Sequence, residues 1–211
     1  MIEEGRGLLI FRAFCWPIKC VARRIERIAS NRRKSNVLNG IIHQGENMAI
    51  SKIELERVSI ISSKPFEKVV EALKAAVGRP DMNDFAMATK SARTFADLEA
   101  AIREGLGRTG FMLFMELDHG VILRKESGKA APKMVRFIVG NPLIMKEMVK
   151  HVPDAGSYAP VTVLVDERAD GVHLSYDRMA SYLAPYQNSE ALAVARELDS
   201  KIESLLRESA A

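Results

Sequence analysis

From residue 55 onward the chain alternates between two hydrophobic periods. Leu55 to Ile61 is a short apolar-rich run that predicts a strand. Phe66, Val69, Val70, Leu73 and Val77 then recur every three or four residues, the buried stripe of a helix. Ser63 is expected to cap that helix, with Pro65 in its first turn, where a missing N–H costs little. Gly78 and Pro80 stop it. Residues 79–92 show no period and read as loop. Thr94 to Asp97 has a capping-box pattern and opens a second helix, with Phe95, Leu98 and Ile102 on one face and Gly105 and Gly107 at its end. Phe111 to Leu117 is almost continuously apolar, which predicts a strand covered on both faces, extended or bent by Gly120 to Leu123.

After a loop rich in Gly, Lys and Ala, Met134 to Val139 predicts another strand. Asn141-Pro142 is a cap followed by Pro at the first helical position, and Leu143, Ile144, Met148 and Val152 form the apolar side of that helix. Pro153 and Gly156 end it. Val161 to Val165 and Val172 to Tyr176 read as two strands joined by an Asp170-Gly171 turn. Asn188 caps a final helix with Leu192, Ala195, Leu198, Ile202 and Leu205 as its stripe. Strands in hairpins with helices at intervals predict an α+β fold, a largely antiparallel sheet with helices on one face.

Composition changes this picture in one place. Residues 1–47 hold nine Lys and Arg against four Asp and Glu, leaving 22 against 23 in residues 48–211. The overall charge of +4 is therefore a property of a basic N-terminal extension, and the remaining domain is neutral. A nucleic-acid binder carries a basic footprint on its folded part, so no nucleic-acid partner is expected. Cys15, Trp16 and Cys20 also lie in the extension, so residues 48–211 contain no Cys and no Trp. That excludes disulfides, thiolate metal sites and a cysteine nucleophile there, and fits a cytoplasmic protein.

Within the extension, Phe11, Phe14, Ile18, Val21, Ile25 and Ile28 form an amphipathic stripe beside Arg23, Arg24 and Arg27. The run is too short to span a bilayer and lacks a signal-peptide cleavage site. A basic helix over residues 8–29 lying on anionic lipid is one reading. An over-extended start is another: Gly45-Glu46-Asn47 back-translates to a purine-rich stretch just before Met48, like a ribosome-binding site read in frame. A disordered arm is the third.

Arg136-Phe-Ile-Val-Gly-Asn-Pro-Leu-Ile-Met, followed by His151-Val-Pro-Asp-Ala-Gly-Ser-Tyr-Ala-Pro-Val-Thr-Val-Leu-Val, resembles domain of unknown function 302. The matching positions are Asn141, Pro142, Gly156 and Pro160, with Val161-Thr162-Val163 after them. The resemblance is clearest over residues 134–177 and extends over 53–207. It implies a fold of the TATA-box-binding-protein-like type, β-α-β(4)-α, found as a homodimer, and it implies no reaction. Many members carry Cys where this chain has Gly140 and Val161, so a thiol-based site is not carried over.

Chemistry-bearing motifs are few. Gly105-Leu-Gly-Arg-Thr-Gly110 fits G-x-G-x-x-G but follows a helix and opens a strand, the reverse of a phosphate cradle. His119, His151 and His173 neighbour Asp118, Asp154 and Asp177, yet no pair has metal-ligand spacing. No metal and no cofactor is expected. Ser157 lacks a nucleophile elbow. His173, Ser175 and Asp177 share one face of the last strand, opposite Val172, Leu174 and Tyr176, with Arg178, Tyr182 and Tyr186 close behind. With Tyr158 and His119 this patch either lines a small-molecule pocket or is a solvated sheet face. Met112, Met115, Met134, Met145, Met148 and Met179 read as core filler or as a dimer seam.

The expected function is a homodimeric domain, without a catalytic motif, that binds a small molecule or a protein through His119, Tyr158, His173, Tyr176 and Asp177. The alternatives are an enzyme on a small polar substrate, with His173 or His119 moving the proton and Tyr158 or Tyr176 positioning, and a peripheral membrane protein held by residues 8–29.

Overall fold

Strand β1 (Arg57–Ser62) leads through helices α1 (Phe66–Ala76), α2 (Met82–Ser91) and α3 (Phe95–Glu104) to β2 (Met112–Asp118). Helix α4 (Gly120–Ser127), β3 (Met134–Gly140), α5 (Pro142–Val149) and a 3-10 turn (Pro153–Ser157) follow. The hairpin β4 (Val161–Arg168) and β5 (Gly171–Asp177), the short α6 (Met179–Leu183) and the long α7 (Ser189–Ala210) complete the order. The structure is a computed structural model, and it describes residues 50, 52–128 and 131–211. The expected helix over Phe11–Ile28 and the expected start at Met48 lie outside the described residues.

The strands form an antiparallel sheet in the order β1-β5-β4-β3-β2, so the fold is α+β. Alternation decides which side is core. Val135, Phe137 and Val139 of β3, Val161, Val163 and Val165 of β4, and Val172, Leu174 and Tyr176 of β5 are all buried. Register puts Phe137, Val163 and Tyr176 in one cross-strand row. Helices α1, α5, α6 and α7 pack over this side, with α7 touching the other three and β1. Its 22 residues span about 33 Å, and Ala191, Ala195, Leu198, Ile202, Leu205 and Leu206 are its buried stripe. Leu192, expected in that stripe, is only half-buried, and Ala191 takes its place.

Several expectations are corrected. Residues 82–91 form a helix where a loop is predicted: Asp81 Oδ1 accepts from Asn83 N at 2.9 Å and Asp84 N at 3.0 Å, and the helix buries no residue. A helix held by its cap has no apolar period to read. Gly120–Ser127 is also helical, begun by Val121 N donating to Asp118 Oδ1, rather than an extension of β2. Strand β2 is not covered on both faces; it is a sheet edge, and Met115 is 53% exposed. Phe95 is exposed beneath the Lys146 ammonium instead of lying in α3's buried stripe. No serine caps α1: Pro65 is its N-cap, without a side-chain bond, and the Ser62 hydroxyl accepts from Lys64 N just ahead of it and donates to the Ala210 carbonyl.

Two loops meet where no side chain fits. Gly78 follows α1 and Gly107 precedes β2, both amide nitrogens donating to the Phe111 carbonyl at 2.8 Å. A Cβ on Gly107 would stand 2.3 Å from the Gly78 nitrogen. The capping box of Thr94 and Asp97 and the Asn141-Pro142 start of α5 stand as read. Asn141 does two things: its Oδ1 accepts from Leu143 N at 2.8 Å, and its Nδ2 donates to the Gly110 carbonyl at 2.9 Å.

Asn141→Ala is expected to lower the unfolding free energy by about 1–2 kcal/mol in urea titration, and Asn141→Ser to recover part of it. Equal losses in both would assign the cost to the Gly110 bond instead of the cap.

Candidate functional site: a groove on the open face of the sheet

The residues between the core positions of each strand face away from the helices. They form rows across the sheet. Ser59 lies opposite Ser175, Ser175 opposite Leu164, Leu164 opposite Arg136, and Arg136 opposite Leu117. On one side of this row Arg57 is opposite Asp177; on the other run Ile61, His173, Asp166 and Met134. A groove of about 660 Å³ opens over the first two rows, walled by Tyr158, Pro160 and Tyr182 and reached by His119.

Three arginines line the groove, and they differ in what they have left to offer. Arg57 holds Asp177 bidentately, Nε to Oδ1 at 2.6 Å and Nη2 to Oδ2 at 2.8 Å. The hydrogen bond and charge of Asp177 push the Arg57 guanidinium further up from its ordinary value. Arg168 likewise pairs with the buried Asp166, at 2.5 Å from Nε and 3.2 Å from Nη2. Arg136 donates one bond, Nη2 to Thr162 Oγ1 at 3.0 Å. Among the described residues no carboxylate pairs with it, so most of its five N–H donors face the groove or solvent.

The aromatic wall is built by two segments. Tyr158 follows the 3-10 turn and Tyr182 sits on α6; their rings stack with centroids 4.6 Å apart and planes at 22°. The Tyr158 and Tyr186 hydroxyls are 3.2 Å apart. Burial raises the Tyr182 phenol, and the charge of Asp177 adds to it. The bond to Tyr158, then burial, then Asp154 raise the Tyr186 phenol.

What holds α6, and so Tyr182, lies on the core side. The Tyr176 hydroxyl donates to Asp199 Oδ1 at 2.6 Å, and the same side chain of α7 accepts from Met179 N at 2.7 Å and Ala180 N at 3.0 Å. Burial, then the charge and hydrogen bond of Asp199, push the Tyr176 phenol far up. Arg178, just before α6, donates to Glu203 Oε1 from Nε at 2.9 Å and from Nη2 at 2.7 Å, and Arg207 donates to Oε2 at 2.7 Å. Burial works to raise the Glu203 carboxyl; the bonds from Arg178 and Arg207 outweigh it and hold the group below its ordinary 4.5.

Of the residues singled out in the sequence, His119, Tyr158, Tyr176 and Asp177 line this groove and His173 does not. His173 is nearly buried on the same face, its Nε2 held by Asp170 at 2.8 Å. Tyr176 contributes to the floor while its hydroxyl is turned to the helix side. Asn141, Pro142 and Pro160 meet around a separate apolar cleft of about 140 Å³ with Ile144, Met145 and Met148. Gly156 lies in the 3-10 turn that carries Tyr158. Arg57, Ser59, Arg136 and Thr162 were not singled out, because three strands supply them at no fixed spacing. One signal was present: Arg136 interrupts the otherwise apolar run Met134 to Val139. Among the described residues no three His, Cys, Asp or Glu side chains gather as a metal site.

The sequence profile of the family described as "Domain of unknown function DUF302" matches residues 87–209. The chain belongs to the DUF302 family. No curated protein matches it. The DUF302 domain is similar to the crystal structure of an uncharacterized conserved protein DUF302 from Bacillus stearothermophilus, with a TM-score of 0.52 and 11% identity. The match covers 72% of this chain and 97% of that one, a likeness of fold alone. The groove residues of the DUF302 domain thus have to be judged on their own chemistry.

Tyr176→Phe is expected to cost about 1 kcal/mol of stability, and Asp199→Ala about 2–4 kcal/mol because it leaves buried donors without acceptors. Equal costs in thermal and urea unfolding would mean that Asp199 does not anchor α6. A carboxyl lowered on folding contributes stability that is fully present above its ordinary value and lost as pH falls through its folded value. Arg178→Gln is therefore expected to move the acid-unfolding midpoint to higher pH, followed by circular dichroism; an unmoved midpoint would take Glu203 out of the acid response.

Proposed function

We propose that this DUF302 domain is a homodimeric, cytoplasmic binding domain for a small polar molecule, which sits in the groove on the open sheet face and is not transformed there. Arg136 carries the reading: a guanidinium on the floor of a groove large enough for a small ligand, with the Ser59 and Ser175 hydroxyls further along the same groove and no carboxylate partner among the described residues. Apolar and aromatic surface from Leu164, Pro160, Tyr158 and Tyr182 lies beside convergent polar groups there, a more polar version of the ordinary ligand site.

Groups that could move a proton are committed elsewhere. His173 is held by Asp170 outside the groove, and the Tyr176 hydroxyl bonds Asp199 on the far side of the sheet. His119 lines the groove, but the adjacent Asp118 serves Val121 N and Arg124. A histidine without an orienting carboxylate is a poor general base. The binding reading is favoured over an enzyme for that reason.

The homodimer rests on exposed apolar surface. Met115 on the edge strand β2, and Val121, Ile122 and Leu123 on α4 directly after it, are 53%, 41%, 65% and 40% exposed. Such concentration within one short stretch favours an interface, and a seam along β2 would account for its near-continuous apolar run. As for lipid, no helix among the described residues is long and apolar enough to cross a membrane; surface anchoring by residues 8–29 lies outside them.

Native mass spectrometry of the full chain is expected to give a dimer, and Met115→Lys with Ile122→Lys to give a folded monomer. A wild-type monomer at micromolar concentration overturns the dimer. In a fragment screen followed by NMR, shifts are expected at Ser59, Ser175 and Tyr182, and Leu164→Trp, which fills the floor, is expected to abolish them. Fragments that shift other surfaces and leave these three unmoved would overturn the groove as the binding site.

A further inference from the structure

We infer that the groove's ligand is an aromatic monocarboxylate, its carboxylate held by Arg136 and its ring set against the Tyr158 and Tyr182 side chains. This rests on the groove being a binding site and names the chemical class it takes.

Charge comes first. The lining arginines Arg57 and Arg168 are each neutralised by a carboxylate of the chain itself, Asp177 and Asp166. Asp177, the acid that lines the groove, is likewise occupied by two guanidinium bonds, so nothing there waits for a cation. Arg136 alone of the three has no carboxylate among the described residues. One unpaired cation calls for one negative charge.

The shape of that cation selects a planar anion. A guanidinium offers parallel N–H donors that match the two oxygens of a carboxylate. Phosphate groups are usually met by several cations or by backbone N–H groups at a helix N-terminus. Here the floor is strand, whose N–H groups are spent in the ladders that join β1, β5, β4, β3 and β2. A phosphate would therefore find a single side chain where a carboxylate finds its complement.

The rest of the ligand is read from the wall. Arg136 leans onto Thr162 Oγ1, on the strand that follows Pro160 and Tyr158. An anion on Arg136 thus stands on the side of the groove where the tyrosine pair stands. The pair is already stacked, at 4.6 Å between centroids, and held from below by the attachment of α6 to Asp199. A flat ring adds to such a stack without ordering anything new. Leu164 and Pro160 supply the apolar surface around it.

Isothermal titration of the full chain with benzoate, benzamide, acetate and inorganic phosphate tests this. Benzoate is expected to bind at least about tenfold more tightly than each of the other three. Arg136→Met is expected to lower benzoate affinity about tenfold or more, with Arg136→Lys in between, and Tyr182→Leu to erase the advantage of benzoate over acetate. Thermal melting checks that the variants fold. Benzamide equal to benzoate, phosphate tighter than benzoate, or an Arg136→Met variant that still binds benzoate would overturn the class. If neutral or cationic fragments shift the groove resonances while benzoate does not, this inference fails and the binding reading survives; if no fragment of any charge shifts them, both fail.

Discussion

The side chain of Asp199 is buried, no ion pair to it forms among the described residues, and three donors converge on it: the Tyr176 hydroxyl and the Met179 and Ala180 amides. Burying an acidic side chain is costly unless its oxygens are satisfied, so the arrangement has little freedom. It joins the last strand, the short helix after it and the long C-terminal helix at one point. The first amides of α6 have no partner within their own helix, and a residue from another helix supplies it. Remove that acceptor and Tyr182 loses its fixed place, although Tyr182 faces the opposite side of the sheet. The wall of the groove is thus set from the core.

Around this point the molecule is asymmetric. One side of the sheet is closed by four helices, while the other carries paired and unpaired arginines, small hydroxyls and several exposed apolar side chains. The methionines divide along the same line. Met112, Met148 and Met179 are buried, whereas Met115 is exposed and Met134 half-buried on the open side. The core-filler reading therefore holds for the first three only, and the open-side pair lies where the proposed dimer seam would need it.

The elements that bury a stripe were legible in the sequence. Helices α1, α5 and α7 and strands β3, β4 and β5 carry clear periods, and the caps at Thr94, Asn141 and Asn188 are side-chain chemistry visible in a few letters. What escaped was structure held without burial. Helix α2 hangs on Asp81 and buries nothing, and α4 exposes three apolar residues in succession, so neither leaves a period. The groove was half legible. Tyr158, Tyr176 and Asp177 stood out as polar-aromatic residues near one another in sequence, but Arg57, Ser59 and Arg136 come together only through register. His173 shared the alternation of Asp177, yet it lies at the hairpin end of β5, where Asp170 takes it.

Register has one more consequence. Arg136 and Phe137 are adjacent, and so are Ser175 and Tyr176; in each pair the first side chain stands on the open face and the second is buried in the core. Sliding β3 by a single position would put a guanidinium among the valines and a phenyl ring in the groove. The groove and the core here draw on the same alternation. Drift in the groove's sequence is therefore confined to exchanges of one side chain at a time, since an insertion within these strands turns the core along with the groove unless a bulge absorbs it, as at Leu113 to Met115 of β2.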